Sequence, residues 1–412
     1  MTSRSAAYFL SCVIAFAAAC HGRPDLGARG SSSPCNLKPD SSVIRVSLPG
    51  RAFSAVSSVD GCWVFVSTQS GPDGASSGLA VVRRTGGLAT LARFLPSPTS
   101  GSRPSQTAGL ALAHNGETLV VAAADQLIFY DVGRLTSGSA EPRLGQLRPE
   151  GPAQHYFQAS LTADDRLLFV SNHGEEVVTV IDFAEARRSG FRRVPVVGTI
   201  PVGWGAGSVA LSPDDRFLFA TTQVADSTWG WPKACLPPGA SAGAPNHLQG
   251  AVHVVDVARA AVDPSHSTIG IVSAGCDPVR LVVSHDGSRA YVTARSDNVM
   301  LTFDTKRIVS DSAHALIAST RTHAGPIGIV VFDAGARIAV ANALRATGVV
   351  SDTEFVAVID ASSIRNGSNA VVSQVPSGGG YVDLSLTPDG RTLLVPNYEP
   401  RSLTLVPIRL LR

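Results

Sequence analysis

Asp277-Pro278-Val279-Arg280-Leu281-Val282-Val283-Ser284-His285-Asp286-Gly287-Ser288-Arg289-Ala290-Tyr291-Val292-Thr293-Ala294 holds two alternating apolar runs joined by an Asp-Gly turn. A polar loop through Asn298 leads to a third run, Met300-Leu301-Thr302-Phe303-Asp304. The pattern predicts three antiparallel strands, with Asp-Gly supplying the positive φ angles that a tight hairpin needs. The same grammar returns at Val209–Ala220 and at Leu384–Asn397. A unit this short cannot bury both faces of its own sheet, so copies must stack on one another to make a core.

The hairpin turn marks each copy: Asp60-Gly61, Asn115-Gly116, Asp164-Asp165, Asp214-Asp215, Asp286-Gly287, Ala334-Gly335 and Asp389-Gly390. The spacing is about 50 residues, the length of a four-stranded propeller blade, with roughly 20 extra residues between the fourth and fifth turns. An all-β, seven-bladed β-propeller over residues 43–412 follows, carrying an insertion at 223–250. A many-stranded β-sandwich is the rival, and seven evenly spaced copies argue against it. The last unit supplies only three strands, ending at Leu403–Pro407, and the run Val43–Leu48 has no turn of its own. Placing that run as the outer strand of the seventh blade closes the ring without a free edge.

Blade geometry also predicts the disulfides. The turn between the first two strands of a blade lies on one face of the disk, and the loops after the second strand and between blades lie on the other. Cys62 follows its turn and Cys35 precedes the closing strand, so both belong to the turn face. Cys235 in the insertion and Cys276 in the connection from blade 4 to blade 5 belong to the opposite face. Cys35–Cys62 and Cys235–Cys276 is the pairing that does not cross the disk; four cysteines allow two others.

Residues 1–19 read as a signal peptide: Arg4, an apolar stretch from Ala6, and the small-residue end Ala17-Ala18-Ala19 before Cys20. That end resembles the lipobox of bacterial lipoproteins, with Ala17 where Leu is usual; an ordinary signal-peptidase site would cleave at the same bond. Lipidation of Cys20 leaves an even set of four cysteines, suited to an oxidising compartment. Residues 20–42, rich in Gly, Ser and Pro, read as a flexible tether. Position 21 is His and not Asp, which favours the outer membrane or cell surface, with the periplasm as the alternative. The membrane is therefore an expected partner through Cys20, and the protein is expected to be a monomer. The formal net charge of +2, without basic runs, offers no case for nucleic acid.

Ser-Pro-Asp turns, Tyr291-Val292-Thr293-Ala294 and Phe169-Val170-Ser171-Asn172 resemble the repeats of YVTN-type β-propellers. The resemblance covers Val43 to Arg412. It implies a fold shared by surface proteins, binding propellers, haem d1 domains and a lactonase/muconate-cyclase family, and it leaves function open.

Ligands of propellers usually sit at the channel mouth, on the face of the inter-blade connections. The strand pattern places Trp204, Arg280, Arg295, Asn298 and Tyr381 there as ligand-binding candidates, with Tyr156, Asn172, Asn342, Arg345, Asp383 and Asn397 beside them. Trp229 and Trp231 in the insertion are either exposed anchors on a rim or packing for the loop itself. The lactonase-like alternative would use His155, His173, Glu175 and Arg280. The remaining histidines are scattered without ligand spacing, so no metal is expected. Cys-x-x-Cys-His is lacking, so neither is c-type haem, and no other cofactor is expected. The leading expectation is a non-catalytic module that binds a protein, glycan or small molecule at the mouth.

Overall fold

The computed structural model describes Cys35 and residues 42–100, 103–148, 155–236, 246–343, 355–376, 379–381 and 383–411. The expected signal peptide, Cys20, nearly all of the tether and Arg345 lie outside these residues. Among the described residues no helix is long and apolar enough to cross a membrane.

Seven antiparallel sheets follow one another along the chain. Six have four strands in consecutive order, and the seventh takes its outer strand from the N-terminal end. Their first strands are Arg51–Ser57, Thr107–Leu112, Tyr156–Leu161, Trp204–Leu211, Pro278–Val283, Pro326–Phe332 and the split pair Gly379–Tyr381 and Ser385–Leu386. First strands of neighbouring blades touch all round the ring. Those of blades 1, 3, 5 and 7 also meet through side chains, so the first strands line the axis.

Each of the seven seams between blades encloses its own apolar cluster, because a twisted sheet with alternating residues must cover both faces with its neighbours. Between blades 2 and 3, for example, Phe129 stacks on Phe191 at 4.7 Å. The ring closes as the sequence predicts: Ile44–Ser47 pairs antiparallel with Ser402–Leu405. Val46 and Leu48 pack against Leu403 and Leu405 in the seam between blades 7 and 1.

Local chemistry explains the recurring letters. In the turns a Ser or Thr two residues before the Asp donates to its carboxylate, as Thr162 does to Asp164 at 2.6 Å and Thr387 to Asp389 at 2.7 Å. The bonds from Ser284 and Ser288 hold Asp286 down to about 2. Blades 3 and 4 have Asp where the others have Gly. Asp165 and Asp215 adopt the left-handed conformation, at φ 54° and 55°. Each carboxylate reaches back to the preceding blade's turn: Asp165 accepts from the His114 backbone N–H at 2.8 Å, and Asp215 from that of Ala163 at 2.6 Å. The Asp that ends a third strand caps a short helix at positions 131, 182, 256 and 304.

Second-strand hydroxyls clip blades together. Thr293 accepts from the Arg280 N–H at 3.2 Å and donates to the Ile327 carbonyl of the next blade at 2.8 Å. Ser171 bonds Gln158 and the Gly207 carbonyl in the same way, and Ser67 bonds Ser54 and Ala108. Thr293→Val leaves the Arg280 N–H and the Ile327 carbonyl without this hydroxyl at a fully buried site, and is expected to cost about 1–3 kcal/mol in urea denaturation. An unchanged midpoint would show that the clip contributes nothing. The disulfides are Cys35–Cys62 and Cys235–Cys276, one on each face.

Candidate functional site

One position per blade lies six residues before the turn marker: Ser54, Gly109, Gln158, Ser208, Arg280, Gly328 and Asp383. In blades 1 to 6 the ladder between first and second strands slips in register at or beside this position. A bulge re-aims side chains, and here it sends them toward the axis. Ser54 donates to Asp383 at 2.7 Å, Ser208 to Gln158 at 3.1 Å, and Arg280 Nε lies 3.6 Å from Asp383 Oδ1. Small residues in blades 1, 2, 4 and 6 leave the room that Arg280 fills. Gly328 is one of them, since a Cβ there would lie 2.8 Å from the Asp383 carbonyl carbon.

Arg280 is the centre of this arrangement. Its guanidinium carbon lies 5.0 Å from the Phe157 ring centroid and 5.9 Å from that of Phe53, and the two rings meet edge to face at 5.5 Å. The side chain is buried, and Nε and Nη2 make no hydrogen bond among the described residues. Burial lowers its pKa, and Asp383 pulls it back up.

The rim above is built from a second pair of equivalent positions, one just before the first strand and one just after the second, joined by a backbone bond. In blades 2 and 6 the pairs are the bland Gln106/Ala124 and Gly325/Ala343. In blades 3 and 5 they are His155/His173 and Asp277/Arg295. The imidazoles of His155 and His173 are 5.7 Å apart; His173 lies 5.8 Å from Phe157 and 5.5 Å from Trp204, a residue that is 51% exposed. Desolvation by burial pushes both histidines below the usual imidazole value, and for His173 the neighbouring His155 adds to the effect. Arg295 is half-buried, with its Nε buried and unpaired among the described residues; desolvation lowers its pKa. Asp277, its acidic neighbour, is buried and accepts from Ser296.

The other candidates are more dispersed. Asn298 takes a left-handed turn conformation, and its side chain accepts from the Gly325 N–H at 2.9 Å, tying the blade 5 loop to the next connection. Tyr381 pairs through its backbone with Asn397. Asn172 accepts from the His155 N–H at 2.9 Å, which sets the rim pair of blade 3. Asn342 and Asn397 are buried, with bonds to their own blades. Tyr156 is buried in the seam between blades 2 and 3. Glu175 is exposed and 3.4 Å from the Asn172 amide. Trp229 and Trp231 are half-buried, with their rings 5.2 Å apart and tilted at 59°, and Trp229 lies 5.4 Å from His253 in the third strand of its own blade. Among the described residues no group of three metal-ligating side chains occurs. A cavity of about 890 Å³ opens on the turn face beside Glu117, Asp131, Asp165 and Arg187, but its carboxylates already cap a helix or join turns.

Sequence reasoning missed Phe53, Ser54, Phe157 and the buried His253. The His253 imidazole is pushed down to about 4 by desolvation, and neither ring nitrogen has a hydrogen bond of normal geometry among the described residues. It is neutral when folded and ordinary when unfolded. Its contribution to stability is therefore complete above about pH 6.5 and is lost as the pH falls toward 4. The loss is expected to be on the order of 3 kcal/mol. Urea denaturation of the wild type and His253→Phe between pH 7 and pH 4 checks it; an equal decline in both would remove His253 as the cause.

No family model and no curated protein sequence matches the chain. Its shape does have counterparts. The hydrazine synthase of Kuenenia stuttgartiensis aligns with a TM-score of 0.62 at 17% identity, over 87% of this chain and 96% of that one. The β-propeller domain of Cps50 (Swd1) from Myceliophteria thermophila aligns with a TM-score of 0.58 at 11% identity, over 89% and 98%. The shared property is the propeller ring. At such identities the likeness extends to fold alone, and the chemistry of the mouth has to be read from this chain's own residues.

Proposed function

We propose that this chain is a non-catalytic binding module of the YVTN type whose ligand docks on the channel mouth, over the arc formed by blades 3, 4 and 5. The observation that carries the reading is the concentration of His155, His173, Trp204 and Arg295 on that arc above the buried Arg280, while blades 2 and 6 are bland at the same positions. Neither histidine hydrogen-bonds a carboxylate among the described residues, and the Phe157 ring lies between them and Arg280. That spacing supports binding better than acid–base catalysis, which needs groups within hydrogen-bond reach of one another.

The test is a thermal-shift screen of small molecules, glycans and lactones on the purified full-length protein, repeated with Trp204→Ala. Ligands that stabilise the wild type and lose that effect in the variant support the mouth. Hits indifferent to Trp204 would move the site elsewhere. Lactone turnover abolished by His155→Ala and His173→Ala would replace binding with lactonase chemistry.

The disulfides are compatible with export. We propose further that the mature protein is a monomer anchored by a lipid on Cys20 at the outer membrane or cell surface. Cys20→Ser is then expected to move the protein from the detergent phase to the aqueous phase on phase separation. A wild type already in the aqueous phase would refute the anchor.

A further inference from the structure

The two guanidiniums of the mouth offer more donors than the protein accepts. Arg280 spends one N–H on the Val279 carbonyl at 3.3 Å and faces Asp383 at 3.6 Å, outside good hydrogen-bond length. Its Nε has only that long ion pair and no hydrogen bond, and Nη2 has no hydrogen bond among the described residues, although the side chain is only 3% exposed. Asp383 divides its attention with Ser54. Arg295 makes no side-chain hydrogen bond among the described residues, and Asp277 is engaged by Ser296. Buried N–H groups left unpaired cost free energy, and a charged donor costs more than a neutral one. A site of this kind favours a ligand rich in acceptors, and above all one that carries negative charge.

Next to these donors stands an aromatic wall. Phe157, His173 and Trp204 follow one another at 5.8 and 5.5 Å, from the axis out to a residue that is half exposed. With both imidazoles neutral near pH 7, the wall presents ring faces and edges with no charge of its own. The insertion borders the same place, because Cys235 is bonded to Cys276, the residue before Asp277. Donors on one side and rings on the other are complementary to a molecule with an anionic end and a flat body.

We infer that the mouth binds a small ring-bearing carboxylate, its carboxylate held by Arg295 above the buried Arg280 and its ring laid along His173 and Trp204. The inference rests on the mouth being the binding face and names the class of ligand it takes. A sugar acid and an aromatic acid share this chemistry, and the two are separated by the choice of probe.

The experiment is isothermal titration of the full-length protein with glucuronate and glucose, with benzoate and benzyl alcohol, and with inorganic phosphate. At least one acid is expected to bind ~10-fold or more tighter than its neutral counterpart, as a charge-assisted bond implies. Arg295→Met is expected to weaken that acid roughly 10- to 100-fold. Trp204→Ala, which leaves the cations in place, is expected to weaken it about 5-fold. Arg295→Lys should restore part of the affinity by returning the charge without the planar fork. Glucuronate binding alone assigns a sugar acid, and benzoate binding alone an aromatic acid. Glucose binding as tightly as glucuronate, with both weakened by Trp204→Ala, would overturn the anionic class while leaving the mouth as the binding face. Phosphate binding as tightly as either acid would overturn the ring. No binding by any probe would overturn the inference itself, and the broader screen would then decide the fate of the mouth.

Discussion

Asp383→Ala is expected to destabilise the protein by about 3–5 kcal/mol, the range found when one partner of a buried ion pair is removed. Arg280 is buried on the axis, and Asp383 is its only carboxylate partner among the described residues. Without it the cation keeps its desolvation cost and loses what offsets that cost. The loss should be largely repaired in Asp383→Ala/Arg280→Met, because a Met side chain occupies the same space between Phe53 and Phe157 and makes favourable sulfur–ring contacts. Urea denaturation of the wild type, both single variants and the double variant measures the coupling directly. A change below about 1 kcal/mol for Asp383→Ala would mean that the axial charge is compensated elsewhere, and the account of the axis would fail.

Cys235→Ser/Cys276→Ser is expected to cost about 4 kcal/mol, the chain-entropy value for opening a loop of this length. The bridge spans 41 residues and ties the insertion to the connection between blades 4 and 5. Cys276 is buried and its N–H is held by the Asp297 carboxylate at 2.7 Å, so one end of the bridge is fixed to the blade 5 loop. Loss of the bridge should act twice, lowering the denaturation midpoint and loosening the border of the mouth beside Asp277. The corresponding variant of Cys35 and Cys62 should lower the midpoint without altering ligand affinity, because that bond lies on the opposite face. Equal effects of both variants on affinity would contradict the placement of the insertion.

The fold was open to reading because its signals are local and repeated. Asp-Gly turns demand a particular backbone, a Ser or Thr two residues earlier completes the turn, and alternation along the strands assigns faces. Even the disulfides followed once each cysteine had been given a face. The axial ring was in principle just as legible: counting back six residues from each turn gives Ser54, Gly109, Gln158, Ser208, Arg280, Gly328 and Asp383. It stayed hidden because a bulge shifts the two-residue period, so the strand pattern alone misplaces the side chains beyond it. The second-strand hydroxyls of Ser67, Ser171, Thr221 and Thr293 mark that bulge, since each accepts the N–H the bulge frees. The meeting of Trp229 with His253 had no comparable signal. It depends on how a unique insertion folds back over its blade, and no repeat exists against which to compare it.

The sheet shared by Ile44–Ser47 and Ser402–Leu405 sets a timetable for the newborn chain. Six blades can assemble in order as they are synthesised, but Ile44–Ser47 has no partner until Ser402–Leu405 has been made. Until then Val46 and Leu48 have no seam to occupy, and an unpaired edge of this sort is open to capture by a second chain. Dilution during refolding, or a holding factor during synthesis, should therefore raise the yield of circular product far more than it alters the rate at which individual blades form.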